Sequence, residues 1–188
     1  MRQLKNERCN NSFTLIELLI VVAIIGILAA LIIVSVTSAS AKARDIKRQE
    51  DLKNIQKALE MYYTTNGSYP STASAKWGYC SGFGSHGISG SSGYIPNLAP
   101  TYIPSLPLDP RNGTDCQGAA NVYACYWYES NGTDYKIDAN ETVETTLPTA
   151  TNSLQNFWDP VYGIGGSIGG GPPDTCDYSL YTPGGKNF

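Results

Sequence analysis

Few residues in this chain could do chemistry, and they are scattered. A carboxylate, Glu17, stands inside an apolar run, five cysteines fall at positions 9, 80, 116, 125 and 176, and the only histidine is His86 in a Gly/Ser-rich stretch. A Ser-His-Asp or Cys-His site would have His86 as its one base, and no nucleophile signature surrounds it, so the chain does not read as an enzyme. Asp109, Asn112 and Asp115 could offer oxygens to calcium, yet their spacing is not that of an EF-hand loop, and Asp174 with Asp177 alone does not make a second site. No Cys-x-x-Cys pair or neighbouring histidine supports a metal centre. No cofactor is therefore expected, calcium being the one ion for which any oxygen donors are in view.

The elements that carry these residues are two different materials. Residues 13 to 36 hold sixteen Ile, Leu and Val in twenty-four positions, whereas residues 64 to 188 hold fifteen in one hundred and twenty-five, together with all eleven prolines and eighteen of the nineteen glycines. Seventeen aromatic residues in the second stretch argue against disorder. The formal charge of the chain is −3, and from residue 58 onward eleven acidic side chains face four basic ones, so nucleic-acid binding has no basic patch to rest on.

Twenty-four helical residues span roughly 36 Å, enough to cross a bilayer core. Arg2, Lys5 and Arg8 against Glu7 precede the run, an excess that keeps the N-terminus cytoplasmic and sends the remainder outward. A secretory signal peptide is one reading, since Ala39-Ser40-Ala41 satisfies the small-residue rule, but the run exceeds the usual h-region of about 7 to 15 residues. A plain anchor explains length and orientation but not Glu17. A carboxylate inside a span costs about 2 to 4 kcal/mol and asks for a partner. Cutting the chain just before Phe13 would supply one, an α-amino group one helical turn from Glu17 that could neutralise it within one chain or between neighbours.

Ser12-Phe13-Thr14-Leu15-Ile16-Glu17-Leu18, after a short basic leader and before a long apolar run, resembles the processing site of type IV prepilins and type II secretion pseudopilins. The resemblance implies cleavage by a prepilin peptidase between Ser12 and Phe13, N-methylation of Phe13, and an assembly role for Glu17. Two positions depart from the family pattern. Ser12 stands where Gly is usual, which bears on cleavage efficiency, and Val34 stands where many relatives carry a proline, so nothing in the sequence breaks the helix there apart from the weak point at Gly26.

Ala41 to Tyr63 has no Gly or Pro, so the helix is expected to continue beyond the membrane. Leu52, Ile55, Leu59 and Tyr62 draw one apolar stripe suited to packing on a sheet, with Lys47, Arg48, Glu50, Lys53, Lys57 and Glu60 assigned to the opposite face. Asn66-Gly67-Ser68-Tyr69-Pro70 should end the helix. The basic cluster Lys42, Arg44, Lys47 and Arg48 could meet lipid headgroups, acidic neighbours or solvent. The family resemblance extends through this segment to about residue 70.

In the remainder, residues 71 to 93 read as a long Ser/Gly surface loop, and Tyr94 to Pro110, with five prolines, as extended and irregular chain. Strands are expected at Val122 to Tyr128 and Tyr135 to Ala139, joined through Asn131-Gly132, and the tail from Val161 to Phe188 should wrap over the sheet. Cys80, Cys116, Cys125 and Cys176 lie on the exported side and Cys9 in the leader, so two disulfides with three possible connectivities follow. The preferred pairing is Cys116 with Cys125 and Cys80 with Cys176. Asn66, Asn112, Asn131 and Asn140 begin N-x-S/T sequons, and three of these are Asn-Gly pairs that turn chemistry already explains.

The expected fold class is α+β and pilin-like: a long N-terminal transmembrane helix packed on a small antiparallel sheet with Gly/Pro-rich loops. The expected divisions are a leader at 1–12, a membrane and filament-core helix at 13–36, its amphipathic continuation at 37–66 and an extracytoplasmic head at 67–188. The resemblance implies a structural subunit of a type IV pilus-like or type II secretion-like filament, homo- or heteropolymeric. It would rest in the cytoplasmic membrane with its N-terminus inside, and then join a cell-envelope or extracellular filament. The implied partners are copies of itself, membrane lipid, prepilin peptidase, an assembly ATPase and a membrane platform protein. Other readings are a membrane-tethered surface binding module and a secreted enzyme.

Overall fold

The computed structural model describes residues 14–115, 118–145, 177–185 and 188, the side chains of 30–35 excepted. It divides into two compact units, Met1–Ser40 and Ala41–Phe188. The boundary falls inside one helix, α1 (Leu15–Asn66), so the second part of that helix folds with the head.

Helix α1 begins where Thr14 supplies an N-cap and runs 52 residues without a proline. Gly26 lies within it in open space and does not interrupt it. The end is made by Gly67, at a φ of +72°, whose N–H donates to the Tyr63 carbonyl at 2.8 Å. That left-handed conformation favours glycine, and the bond satisfies a carbonyl that the last turn would leave unpaired. Asn66 adds a side-chain bond from Nδ2 to the Tyr62 carbonyl at 2.9 Å.

In the head unit, four antiparallel strands lie in the order β1 (Trp77–Gly78), β2 (Cys125–Ser130), β3 (Tyr135–Asn140) and β4 (Tyr178–Tyr181). Alternation divides the sheet into two faces. Tyr126, Tyr128, Tyr135, Ile137, Ala139, Tyr178 and Leu180 form one buried cluster with Leu52, Ile55, Ala58 and Leu59 of α1. Cys125 and Trp127 point the other way, into a small second cluster with Cys80 and Phe83. The expected stripe on α1 is thus the packed one, with Tyr62 half-buried at its end.

The core is built largely of tyrosine, and burial of a phenol demands a partner for its hydroxyl. Tyr126 donates to Asp51 at 3.1 Å, Tyr128 to the Pro70 carbonyl at 2.8 Å and Tyr94 to the Pro107 carbonyl at 2.8 Å. Each bond ties the apolar cluster to the helix or to a loop.

The β2–β3 hairpin is the one the sequence predicts, with Ser130 opposite Tyr135 at its tip and Gly132 at a φ of +93°. Its first strand starts later than Val122. Asn121 Oδ1 accepts the Tyr123 N–H at 2.9 Å and turns the chain, leaving Val122 and Tyr123 exposed and the ladder to begin at Cys125. The tail is more regular than a wrap, since residues 178–181 pair with 136–139 as a fourth strand. Residues 161–176 of the expected wrap lie outside the described residues.

Leu59 is fully buried, so Leu59→Ala should cost about 2–5 kcal/mol of head stability, whereas Lys57→Ala on the exposed side should stay within about 0.5 kcal/mol. Denaturant unfolding of the full chain in detergent, followed by tryptophan fluorescence, measures both.

Candidate functional site

The helix start carries the first cluster of functional residues. Glu17 stands three residues after the N-cap Thr14, and the two side chains are reciprocally bonded. Glu17 Oε2 accepts the Thr14 N–H at 2.8 Å and the Thr14 hydroxyl at 2.7 Å, while Thr14 Oγ1 accepts the Glu17 N–H at 3.3 Å. This is a capping box, satisfying two backbone donors at the end of the helix where a negative charge is favoured. Ser12 and Phe13 lie outside the described residues.

Behind this cap the helix is apolar on all sides. The eleven large aliphatic side chains from Leu15 to Leu28 are each at least 49% exposed. No monomer in water holds such a surface bare, so it requires lipid or other helices. Among the described residues no helix is long and apolar enough to cross a membrane; the side chains of residues 30–35, inside the run, lie outside the described ones.

A second cluster lies in the head. Arg48 is fully buried and makes four bonds: Nε and Nη2 to Asp109 at 2.6 and 3.2 Å, Nη1 to Asp45 at 2.6 Å, and Nη2 to Glu144 at 3.2 Å. Arg44 grips Glu144 with a two-pronged pair at 2.6 Å each, and Arg111 adds a bond at 2.9 Å. Asp45 in turn accepts the backbone N–H groups of Glu144 and Thr145 at 3.0 and 2.7 Å, and the Thr145 hydroxyl. Three arginines thus meet three carboxylates, joining α1 to the loop at Asp109 and the chain following β3. Burial raises the Glu144 carboxyl, but hydrogen bonds from Arg44, Arg111 and Arg48 outweigh it and hold it down to about 2. Burial opposes the charge on Arg48, yet its hydrogen bonds and Coulombic attraction to Asp109 and Asp45 raise its pKa overall.

This arrangement corrects the reading of the basic cluster. Arg44 and Arg48 are held by carboxylates of their own head, and Arg48 does not lie on the outer helix face. Lys42 and Lys47 remain exposed, with Lys47 3.7 Å from Asp51. Sequence periodicity missed Arg48 because a charged residue beside an apolar stripe looks like surface; its three-residue spacing from Asp45 was the available signal.

The disulfide pairing is also corrected. Cys125 bonds to Cys80, not Cys116, across a Cα separation of 5.9 Å. Strand β1 pairs with β2, with Gly78 opposite Trp127, and this brings residue 80 alongside the start of β2. A Cβ at Gly78 would meet Cys125 Sγ at 3.1 Å, so glycine allows the close approach. Cys116 and Cys176 lie outside the described residues.

The remaining chemical candidates are not assembled into one site. His86 stacks on Trp77 at a centroid distance of 4.2 Å, and burial lowers its pKa. Asp109 is occupied by Arg48, and Asp115 Oδ1 accepts the Ala119 N–H at 2.8 Å. Asp177 accepts the Glu141 N–H, and Asp174 lies outside the described residues. Among the described residues no group of three or more His, Cys, Asp or Glu side chains is placed to hold a metal.

Comparison with known proteins bears on both clusters. The family described as "Prokaryotic N-terminal methylation motif" matches residues 8–33, and "Type II secretion system (T2SS), protein G" matches residues 35–76. The type II secretion system core protein G of Klebsiella michiganensis is 33% identical over 80% of this chain and 95% of its own length. The chain belongs to the type II secretion system core protein G family. The protein G of Pseudomonas aeruginosa is 46% identical over 35% of this chain, and the match spans a little under half of that protein, 46%. The type IV wide pilus major component PilA4 of Thermus thermophilus is 48% identical over 34% of the chain and 48% of its length. No solved structure matches. In this protein G family member, residues 8–33 contain Glu17 and its cap, and residues 35–76 contain Arg44, Asp45 and Arg48.

Two outcomes follow. Non-reducing peptide mapping should recover Cys80 linked to Cys125. Glu144 has a folded pKa of about 2 against an ordinary value of 4.5, so its contribution is complete above about pH 4.5 and disappears as pH falls toward 2. It amounts to about 3 kcal/mol. Glu144→Gln should therefore be less stable than wild type by about that amount at pH 7, with the gap closing between about pH 5 and pH 2 in acid-unfolding curves.

Proposed function

We propose that the chain is a structural subunit of a type II secretion-like or type IV pilus-like filament, without catalytic activity, held in the cytoplasmic membrane by its apolar helix before assembly. One observation carries this reading: a helix whose large aliphatic side chains are exposed on every side begins at a capped carboxylate immediately after Ser12-Phe13. An apolar surface that wide suits burial twice, first in lipid and then against copies of the same helix. The names of its relatives, core protein G of type II secretion systems and a wide-pilus major component, agree with it.

On this reading prepilin peptidase cuts between Ser12 and Phe13 and Phe13 is N-methylated. Glu17 then pairs with the Phe13 amine of a neighbouring subunit, so that axial register follows from charge neutralisation. The acidic, tyrosine-rich head stays in water on the filament surface. An assembly ATPase and a membrane platform protein would drive extraction from the bilayer.

Intact-mass and N-terminal analysis of the protein from membranes should find a mature chain starting at methylated Phe13. A mature start near Lys42, as a signal-peptide cut would leave, overturns the proposal. Glu17→Ala should leave membrane insertion unchanged and reduce the filaments recovered by shearing; an unchanged yield removes the pairing role.

A further inference from the structure

The sequence holds three Asn-Gly pairs, at 66–67, 112–113 and 131–132, and the filament reading makes no use of them. Asn-Gly is chemically labile because the glycine nitrogen can turn back on the asparagine side chain. The glycine N–H gives up its proton to hydroxide, the nitrogen bonds to Asn Cγ, and as the Cγ–Nδ2 bond breaks the side-chain nitrogen takes a proton back from water and leaves as ammonia. The cyclic imide then takes up one water and opens to Asp or isoAsp. No reagent beyond water is consumed. The step needs the glycine N–H free, so the partner of that N–H in the fold controls it.

The structure gives the three glycines different partners. Gly67 N–H donates to the Tyr63 carbonyl at 2.8 Å, in the last turn of α1. Gly113 N–H donates to the Ala124 carbonyl at 2.7 Å, a backbone bond that ties the turn to the approach of β2. Gly132 N–H has no backbone acceptor of this kind and donates to the Ser130 hydroxyl at 3.0 Å. The asparagines differ as well. Asn66 Nδ2 is bonded to the Tyr62 carbonyl and to the Tyr102 hydroxyl, which holds that side chain along the helix. Asn131 is exposed at the hairpin tip, and its Oδ1 accepts the N–H groups of Thr133 and Asp134 at 2.9 and 2.8 Å. Two donors on one amide oxygen draw electron density from Cγ, the atom to be attacked.

We infer that Asn131 is a site of spontaneous deamidation in the folded chain, gated by the Ser130 hydroxyl, while backbone bonds close the same reaction at Asn66 and Asn112. Ser130 is fully buried, and its hydroxyl also donates to the Asp134 carbonyl at 2.8 Å, so the gate is a fixed part of the hairpin. Opening it requires only a local fluctuation of the turn, whereas freeing Gly113 requires parting two segments of the head. An isoAsp product would lengthen the backbone between β2 and β3 at the point where Ser130 faces Tyr135, and would add a negative charge at the tip. The inference holds whether or not the chain assembles into a filament.

The test is incubation of the full chain in detergent, folded and oxidised, at mildly alkaline pH, with Asp and isoAsp counted at each site by peptide mapping. Asn131 should convert first, and all three sites should convert faster in the reduced, denatured chain. Ser130→Ala should speed Asn131 about tenfold while Asn66 and Asn112 keep their folded rates. Hydrogen exchange on the wild-type chain should rank Gly132 as the fastest of the three glycine amides. Conversion of Asn66 or Asn112 ahead of Asn131, or an unchanged Asn131 rate in folded Ser130→Ala, overturns the inference. Should the variant unfold, the wild-type ranking by conversion and exchange decides it.

Discussion

The head depends on one buried guanidinium. Arg48 receives carboxylates from its own helix, from the loop at Asp109 and from the chain after β3, and with Arg44 and Arg111 it reaches a balance of three positive and three negative groups. Removing one member of such a set leaves a charge buried without compensation, so the cluster resists partial disassembly. It matters here because the stretch from residue 64 has so few aliphatic side chains. Long loops cannot be held by an apolar core that size, and the arginine forks define where they cross the helix to within a hydrogen-bond length.

Tyrosine and the disulfide extend the same logic. A tyrosine core buries large rings while each hydroxyl grasps a fixed acceptor, which gives apolar area and positional information together. The Cys80–Cys125 bond closes a separation of 45 residues and organises a small cluster with Phe83 and Trp127 on the opposite side of the sheet. Closing a loop of that length restricts the unfolded chain, by about 3–5 kcal/mol in the entropic account. A thin sheet thereby gains an anchor on each face.

Patterns local in sequence were legible in the sequence, and pairings across distance were not. The stripe Leu52-Ile55-Leu59 and the stop at Asn66-Gly67 each act within one or two turns, and both appear as expected. The Thr14-x-x-Glu17 box is just as local, but the apolar run around it drew attention to Glu17 as a membrane charge and not as a cap. The hairpin at Asn131-Gly132 was visible for the same reason. Cysteine connectivity depends on which strands lie side by side, and the pairing of β1 with β2 could not be read from the two residues Trp77 and Gly78. The fourth strand, Tyr-Ser-Leu-Tyr, is short and sits in a Gly/Pro-rich tail, so its alternation was outweighed by its surroundings. Arg48 was misplaced because periodicity marks apolar burial and does not register a buried charge whose partners lie 61 and 96 residues away.

The two ends of α1 show how one helix can serve two environments. In its head portion every buried charge is paired inside the molecule, so assembly need not supply any partner there. At its start the only charge is Glu17, satisfied in the uncut chain by the N–H and hydroxyl of Thr14. On the proposed reading, cleavage before Phe13 would place a positive amine one residue from that N–H. The capping bonds from Thr14 are charge-assisted on the acceptor side alone, whereas an amine brings an opposite charge whose attraction grows as the local dielectric falls. The carboxylate would then gain by turning from its own cap to an amine, and most of all away from water. Cutting the leader would thus change which partner Glu17 prefers without altering the helix that carries it.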